Sequence, residues 1–182
     1  MEKEASIFDI LAAEFKQAKI SCILIGGFAV NCYQVSRYTS DIDFLTTEED
    51  YAKIFKSLKR REYEEFHRGK NFVRLKSRRP EWMILDFMFV DRMTFDRMLR
   101  EGQKKNFMGS EWIVPSLEHL IALKLHTIKN NPDRELRDLL DIVDLIKVNQ
   151  LEVHTDRFKA LCLKHGTQEI YEKILGWVKR QF

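Results

Sequence analysis

The sequence predicts an α+β fold: a mixed α/β core to about residue 114, followed by a helical extension. Short apolar runs typical of strands alternate with amphipathic helical patterns up to residue 114, and from Pro115 onward the periodicity is helical. No internal repeat or low-complexity linker interrupts the chain. We therefore expect two regions, a core over residues 1–114 and a helical region over residues 115–182 that packs on it.

The composition indicates a protein with a large core and no strong preference for nucleic acid. Of the 182 residues, 45% are apolar and 13 are Phe. A net charge of +3 is too small to demand nucleic acid, and basic clusters such as residues 74–79 are most often solvated surface. Three widely spaced cysteines, no hydrophobic leader and no apolar run of membrane-spanning length predict a cytoplasmic protein without a membrane partner.

The elements of the core follow from apolar spacing and from turn residues. Apolar positions three and four apart predict helices, alternating positions predict strands, and glycine or proline marks the breaks. Thr46 or Thr47 is the expected cap of the third helix, because acidic residues follow it and basic residues end that helix. The expected order is a helix over residues 5–18, a strand over 22–25, a helix over 28–33, a strand over 41–45, a helix ending near 60, a hairpin of 63–67 and 71–76, a strand over 82–90, a short helical piece over 95–99 and a closing strand over 111–114.

Four helices are expected in the remainder of the chain. Ser116 is the predicted N-cap of the first of them, Pro132 separates the first two, and Gly166 ends the third. These helices are expected over residues 117–128, 133–148, 154–165 and 167–180.

Two aspartates on the second predicted strand indicate a metal site. Asp41 and Asp43 lie two residues apart, so both side chains leave the same face of the strand. Two carboxylates that close need a cation between them. Gly26 and Gly27 end the preceding strand and allow backbone N–H groups to approach an anion. A metal platform beside an anion site suggests a nucleoside triphosphate.

Asp86 is the third acidic candidate. It is a charge on an otherwise apolar face of the strand predicted over residues 82–90. Three carboxylates on neighbouring strands could hold one or two Mg²⁺ ions. Asp86 would then help to bind the second ion and take, or orient, the proton of an attacking hydroxyl. In the alternative interpretation, Asp41 caps a strand and Asp43 pairs with Arg37.

The order and spacing of these residues resemble the nucleotidyltransferase superfamily that includes DNA polymerase beta. More narrowly, segments 37–44, 114–124 and 137–142 resemble the bacterial abortive-infection (AbiEii-type) nucleotidyltransferases and their toxin relatives. The likeness implies a mixed sheet flanked by helices and magnesium-dependent transfer of a nucleotidyl group from a triphosphate, with loss of pyrophosphate. Many superfamily members have Ser where this chain has Gly27, so a side-chain phosphate ligand is missing here. The motifs that carry the resemblance are Ile25-Gly26-Gly27, Asp41-Ile42-Asp43 and Leu85-Asp86-Phe87.

Three residues just before the acidic pair are candidates for nucleotide binding. Arg37, Thr39 and Ser40 are expected within reach of a bound triphosphate because of this position, and the guanidinium of Arg37 suits phosphate geometry. The alternative for Arg37 is an ordinary surface arginine in a loop.

Two residues of the helical region join this set through the resemblance. Lys124 falls within the buried stripe of its predicted helix, so it must snorkel to solvent or meet an anion, and the family matches it to the phosphates of the nucleotide. The family likeness makes Asp138 a wall residue of the site. Its alternative is an ordinary helix ion pair with Arg134, worth a few tenths of a kcal/mol.

The sequence therefore predicts an enzyme, a nucleotidyltransferase that uses two Mg²⁺ ions and a nucleoside triphosphate. The acceptor is expected to be an RNA or tRNA 3′ end, a protein hydroxyl or a small molecule. The chain is a candidate toxin, with an antitoxin or other protein as partner. One alternative is a catalytically idle nucleotide-binding or protein-interaction module of the same fold. Another is a glycosyltransferase with an Asp-x-Asp motif, for which the chain is short.

Overall fold

A computed structural model describes residues 6–179 and shows a mixed α/β fold, which confirms the predicted fold class. The described residues form two compact units. The first contains the chain up to Cys32 and Tyr38–Pro115, and the second contains Tyr33–Arg37 and the chain from Ser116 onward. The expected start of the first helix at residue 5 and end of the last at residue 180 lie outside the described residues. The two-region division at residue 114 stays a prediction.

The first unit combines helices with one seven-stranded sheet, counted over residues 6–179. Its helices are α1 (Ile7–Gln17), α2 (Gly26–Cys32), α3 (Glu48–Arg60) and α4 (Arg92–Glu101). Its strands are β1 (Ile23–Ile25), β2 (Asp41–Thr46), β3 (Tyr63–Arg68), β4 (Phe72–Ser77), β5 (Ile84–Phe89), β6 (Gln103–Phe107) and β7 (Ser110–Val114). The strand order is β3-β4-β5-β2-β1-β7-β6, in which β2 and β5, and β1 and β7, are the parallel pairs.

A buried aromatic cluster forms the centre of the first unit. The ring of Phe44 on β2 stacks on Phe87 of β5 with centroids 5.4 Å apart, and Phe15 of α1 meets Phe44 edge-on at 5.1 Å. Trp112 of β7 lies 5.6 Å from Phe44. Because strand side chains alternate between faces, burial of these rings on one face sends the intervening residues of β2 and β5 to the opposite face.

The second unit is helical. Its elements are α5 (Leu117–Asn130), a 3-10 turn (Pro132–Arg134), α6 (Glu135–Val148), α7 (Asp156–His165) and α8 (Gln168–Lys179). Ser116 caps α5 as predicted, by accepting a hydrogen bond from the His119 N–H at 3.3 Å. The segment Tyr33–Arg37 is fastened to the helices, since the Asn149 side chain donates to the Tyr33 carbonyl at 3.2 Å. Apolar residues of the four helices share one core that includes Leu125, Leu139, Ile142, Phe158, Cys162 and Ile174.

The structure differs from the sequence prediction at three places. The helix after the glycines begins at Gly26, two residues earlier than expected. α4 is a full helix rather than a short piece, because Asp91 caps it by accepting the Thr94 N–H at 2.9 Å. β6 was not predicted, since an edge strand that begins Gln-Lys-Lys lacks the apolar alternation of a buried strand. The other elements are confirmed, with ends shifted by at most about two residues.

Smaller expectations are also answered. Thr47, not Thr46, caps α3 by accepting the Asp50 N–H at 3.2 Å. The three cysteines are free thiols, and burial raises the pKa of Cys32 to about 11 and that of Cys162 to about 12. No helix within residues 6–179 combines the length and the apolar character needed to cross a membrane.

One buried carboxylate ties α1 to α3. Glu14 is 6% exposed; it accepts hydrogen bonds from the Ser57 hydroxyl and from Arg61 Nε, the latter at 2.7 Å. Burial alone would raise the pKa of Glu14, but the hydrogen bonds from Ser57 and Arg61 outweigh it and hold the pKa below its ordinary value of 4.5.

We expect Glu14→Gln to lower the free energy of unfolding by about 1–3 kcal/mol near neutral pH, because the amide loses the charge that faces Arg61. A depressed folded-state pKa stabilises the protein above the unfolded pKa, and this contribution is lost as pH falls through the folded pKa. The difference in the free energy of unfolding between wild type and variant should therefore become smaller below a pH of about 4.5. Urea denaturation across this range measures it, with Glu81→Gln as an exposed control. A difference in the free energy of unfolding that stays constant into strong acid would contradict the lowered pKa of Glu14.

Candidate active site

The structure brings the three predicted aspartates together on β2 and β5. Asp43 and Asp86 are direct partners across this parallel pair, and Asp41 lies two residues before Asp43 on the same face. One oxygen from each carboxylate lies within 4.8 Å of the other two, and all three residues are half-buried. Three carboxylate oxygens at this separation fit a hard divalent cation such as Mg²⁺.

The hydrophobic pattern of the two strands explains why the carboxylates meet. Ile42 and Phe44 on β2, and Leu85 and Phe87 on β5, are completely buried. A one-residue slip of either strand would send its apolar residues to the open face, so burial fixes the pairing register. The acidic residues occupy the alternate positions, and the same register therefore gathers them on the open face.

Gly26 makes room for Asp43. Its φ of +66° lies in the left-handed region, and a Cβ built on it would lie 1.9 Å from Asp43 Oδ2. Ile25, the residue before it, is the register partner of Asp43 across β1 and β2. The Asp43 carboxylate thus lies directly against the backbone of the glycine turn, a position that any side chain at residue 26 would obstruct.

Gly27 makes room for Thr39. A Cβ on Gly27 would lie 2.7 Å from Thr39 Cβ and 2.9 Å from its hydroxyl oxygen. That hydroxyl donates to Asp41 Oδ1 at 2.7 Å, and Thr39 Oγ1 also lies 3.3 Å from the Asp41 carbonyl oxygen. Thr39 therefore orients Asp41, and its side chain fills the space in which a serine at residue 27 would begin. Ser40, between them, is exposed.

Sequence reasoning missed Arg74 as a residue of this site, and noted it merely as part of a basic cluster. Arg74 on β4 is the register partner of Asp86. Its Nε donates to Asp86 Oδ1 at 2.8 Å, and its Nη2 lies 3.7 Å from Asp41 Oδ2. The hydrogen bond to Asp86, and then the negative charges of Asp86, Asp41 and Asp43, raise the pKa of Arg74 against the opposing effect of burial. Alternation along β4, combined with the hairpin register, is the signal that could have found it.

A second charged cluster lies within the helical unit. Lys124 Nζ on α5 lies 3.1 Å from Asp138 Oδ1 and 2.6 Å from Asp141 Oδ2, both on α6. Arg37 Nε lies 3.0 Å from Asp141 Oδ1, and Arg134 Nε lies 3.1 Å from Asp138 Oδ2. Lys124, Asp138 and Asp141 are at most 7% exposed. Three cations thus surround two buried carboxylates.

This cluster bears on three of the alternatives weighed above. Lys124 does not snorkel to solvent, because it is buried against two carboxylates of the protein. Asp138 pairs with Arg134 as expected, but at 1% exposure it is no ordinary surface pair. Arg37 is not a solvated loop residue, since its side chain is 18% exposed and paired with Asp141. Asp141 was missed because its partners, Lys124 and Arg37, are distant from it in the sequence.

Comparison with known families identifies the chain. Residues 9–181 match the model of a family described as nucleotidyl transferase AbiEii toxin, Type IV TA system. The chain belongs to this family. It is therefore a nucleotidyltransferase by family, as the resemblance predicted. A search of curated proteins by sequence found no match.

Solved structures with a similar fold include three nucleotidyltransferase-type proteins. The lincosamide antibiotic adenylyltransferase LnuA, solved with lincomycin, has a TM-score of 0.58 at 19% identity, over 78% of this chain and 95% of that one. ANT(2")-Ia in complex with adenylyl-2"-tobramycin has a TM-score of 0.66 at 11% identity, over 85% of this chain and 92% of that one. An antigenic nucleotidyltransferase-like protein from Paracoccidioides brasiliensis has a TM-score of 0.57 at 17% identity, over 95% and 90%. These likenesses concern the fold.

We expect Gly27→Ala and Gly27→Ser to lower the free energy of unfolding by about 1–3 kcal/mol, because either Cβ collides with Thr39. The loss should be smaller in a Thr39→Gly background, where the collision is absent. Urea denaturation of the four proteins of each cycle, one for Gly27→Ala and one for Gly27→Ser, measures the coupling. Gly176→Ala is the matched control, since a Cβ there meets nothing within 4 Å and alanine favours the helix. An equal loss in both backgrounds would show that Thr39 is not the obstacle.

We expect Lys124→Met to lower the free energy of unfolding by about 3–5 kcal/mol, because it leaves Asp138 and Asp141 buried without their shared cation. Changing both aspartates to asparagine in that background should restore part of the loss. Lys129→Met, an exposed position on the same helix, is the control and should change stability by less than about 0.5 kcal/mol. A Lys124 variant as stable as this control would argue against a structural role for the pair of carboxylates.

Proposed function

We propose that the protein transfers a nucleoside monophosphate from a nucleoside triphosphate to a hydroxyl acceptor in a magnesium-dependent reaction. A bond forms between the acceptor oxygen and the α-phosphorus, and the bond from that phosphorus to pyrophosphate breaks. The acceptor proton passes to a base, and pyrophosphate leaves with the electrons of the broken bond. The observation that supports this most directly is the group of three carboxylates on β2 and β5, with oxygens within 4.8 Å of one another.

The donor set fits the metal that this chemistry requires. Asp41, Asp43 and Asp86 offer hard oxygen ligands on two strands whose register is fixed by burial. One or two Mg²⁺ ions held there would supply positive charge to the attacking and leaving oxygens of the displacement.

The residues around the carboxylates have separate roles in this proposal. Thr39 holds the Asp41 carboxylate by its hydrogen bond, and Gly26 leaves space for Asp43. Asp86, in register with Asp43, orients the acceptor hydroxyl and its proton. Contacts of the nucleotide stay predictions for all the residues expected to bind it: Gly26, Gly27, Arg37, Thr39, Ser40, Lys124 and Asp138.

The basic residues on β4 and just after it give little preference for an RNA acceptor. Lys76 and Arg78 lie 3.5 and 3.7 Å from Glu64 oxygens, and Arg79 Nε lies 2.7 Å from Glu62. Because these cations already have carboxylate partners, their attraction for a phosphate backbone is reduced. RNA 3′ ends, protein hydroxyls and small hydroxyl compounds are therefore best tested side by side.

We also propose that the transfer makes the protein a toxin that an antitoxin counteracts, in line with the family description. The activity would then restrict growth when the chain is produced without its antitoxin. Growth of cells that express the wild type or Asp43→Asn separates a catalytic toxin from a chain that is harmful merely because it is overproduced.

We expect Asp43→Asn to reduce transfer by about 10²-fold or more, because the isosteric amide removes a metal-binding charge at the centre of the group. The assay incubates purified protein with α-labelled triphosphates and Mg²⁺. In parallel reactions the acceptor is total RNA, lysate protein or a panel of small hydroxyl compounds. Transferred label and released pyrophosphate are both counted.

Asp96→Asn is the matched control, since Asp96 is a half-exposed carboxylate on α4 of the same unit and should leave transfer unchanged. Transfer that is undiminished by Asp43→Asn would refute the proposed role of the carboxylates. Calorimetry with Mg²⁺ and a non-hydrolysable triphosphate measures nucleotide binding separately from transfer. Binding with no transfer to any acceptor class would favour a nucleotide-binding module over an enzyme.

A further inference from the structure

A positive residue is built into the same cross-strand row as two of the three carboxylates. Arg74 of β4 is the register partner of Asp86 of β5, and Asp86 is the register partner of Asp43 of β2. The three side chains therefore leave the same face of three adjacent strands. Backbone pairing, rather than a flexible surface loop, places the arginine beside the carboxylates.

The guanidinium of Arg74 reaches across this row. Its Nε lies 2.8 Å from Asp86 Oδ1, and its Nη2 lies 3.7 Å from Asp41 Oδ2 on the far strand. The ring of Phe66 on β3 lies 5.7 Å from the guanidinium carbon and supports it from the other side. The side chain is 35% exposed, so it is partly shielded from water but has room to move.

Charge balance gives the arginine a role in metal binding. Carboxylates whose oxygens lie within 4.8 Å of one another are poorly tolerated unless a cation lies near them, and Arg74 supplies one positive charge without a metal. A guanidinium there also repels an incoming divalent ion and engages oxygens that the ion would bind. A metal that arrives with a triphosphate differs, because the phosphates give the displaced guanidinium a new anionic partner.

We propose that Arg74 is the resident counter-cation of the metal site. It keeps Asp41 and Asp86 in place when no metal is bound, and it competes with a divalent ion that arrives alone. It does not oppose a divalent ion that arrives with a nucleoside triphosphate, so metal and nucleotide bind synergistically. This inference rests on the proposed function in one respect, that the three carboxylates are the metal site.

Mn²⁺ titration of the full chain by calorimetry tests the competition without any catalytic turnover. Arg74→Ala should bind Mn²⁺ alone about tenfold more tightly than the wild type, because the competing charge is gone. A non-hydrolysable triphosphate should strengthen Mn²⁺ binding to the wild type much more than binding to Arg74→Ala. Arg74→Lys keeps the charge but not the planar guanidinium, so its Mn²⁺ affinity should lie between those of the wild type and Arg74→Ala.

Lys76→Ala is the matched control. Lys76 lies on the same face of β4 and over the same Phe66 ring, at 6.0 Å, but its carboxylate partner is Glu64 at 3.5 Å. The Mn²⁺ affinity of Lys76→Ala should therefore equal that of the wild type. Thermal denaturation gives a second measurement: Mn²⁺ should raise the melting temperature of Arg74→Ala more than that of the wild type or of Lys76→Ala.

A purely structural ion pair predicts a different result. Arg74→Ala would then lose some stability, while its Mn²⁺ affinity would be unchanged or weaker, and either outcome overturns the proposal. Mn²⁺ binding that survives Asp43→Asn would place the ion elsewhere and overturn it as well. If Arg74→Ala binds Mn²⁺ more tightly but the wild type transfers no nucleotidyl group, the proposed function is rejected and this inference stands. If the wild type transfers the group but Arg74→Ala does not bind Mn²⁺ more tightly, this inference is rejected and the proposed function stands.

Discussion

The parallel pairing of β2 with β5 is the constraint on which the candidate site depends. One face of the pair carries Phe44 and Phe87, whose stacked rings lie at the centre of the first unit. The other face carries Asp43 opposite Asp86. Hydrophobic burial is worth about 1.5–3 kcal/mol for each large apolar side chain, whereas clustered carboxylates repel one another. The apolar face therefore provides the energy that holds the acidic face together.

The two charged clusters described above contain cations of their own, one for three carboxylates in the first and three for two carboxylates in the second. In the first unit, Arg74 donates to Asp86 and approaches Asp41. In the second, Lys124 lies between Asp138 and Asp141, with Arg37 and Arg134 bound to their other oxygens. The two clusters differ in access to solvent, because the acidic side chains are half-buried in the first and almost fully buried in the second. The first is suited to exchange one cation for another, and the second to fix the packing of α5 on α6.

Local patterns were sufficient to predict most of the fold and the acidic group. Asp41 and Asp43 share a face by the period of a strand, and Asp86 was visible as a charge on an apolar strand. Residues whose role depends on partners distant in the sequence were harder to predict. Arg74 required the register between β4 and β5, and Asp141 required the packing of α6 on α5. The strand β6 carries little hydrophobic signal because it lies at the sheet edge, where none of its residues is fully buried.

The close approach of Gly26 to Asp43 links two positions that are 17 residues apart in the sequence. A Cβ at residue 26 and a carboxylate in this orientation at residue 43 exclude each other. In related chains, a larger residue at the first position would therefore indicate a displaced acid even where the Asp-x-Asp motif is intact. The identity of residue 26 thus indicates, from sequence alone, whether the acid at residue 43 can take the orientation described here.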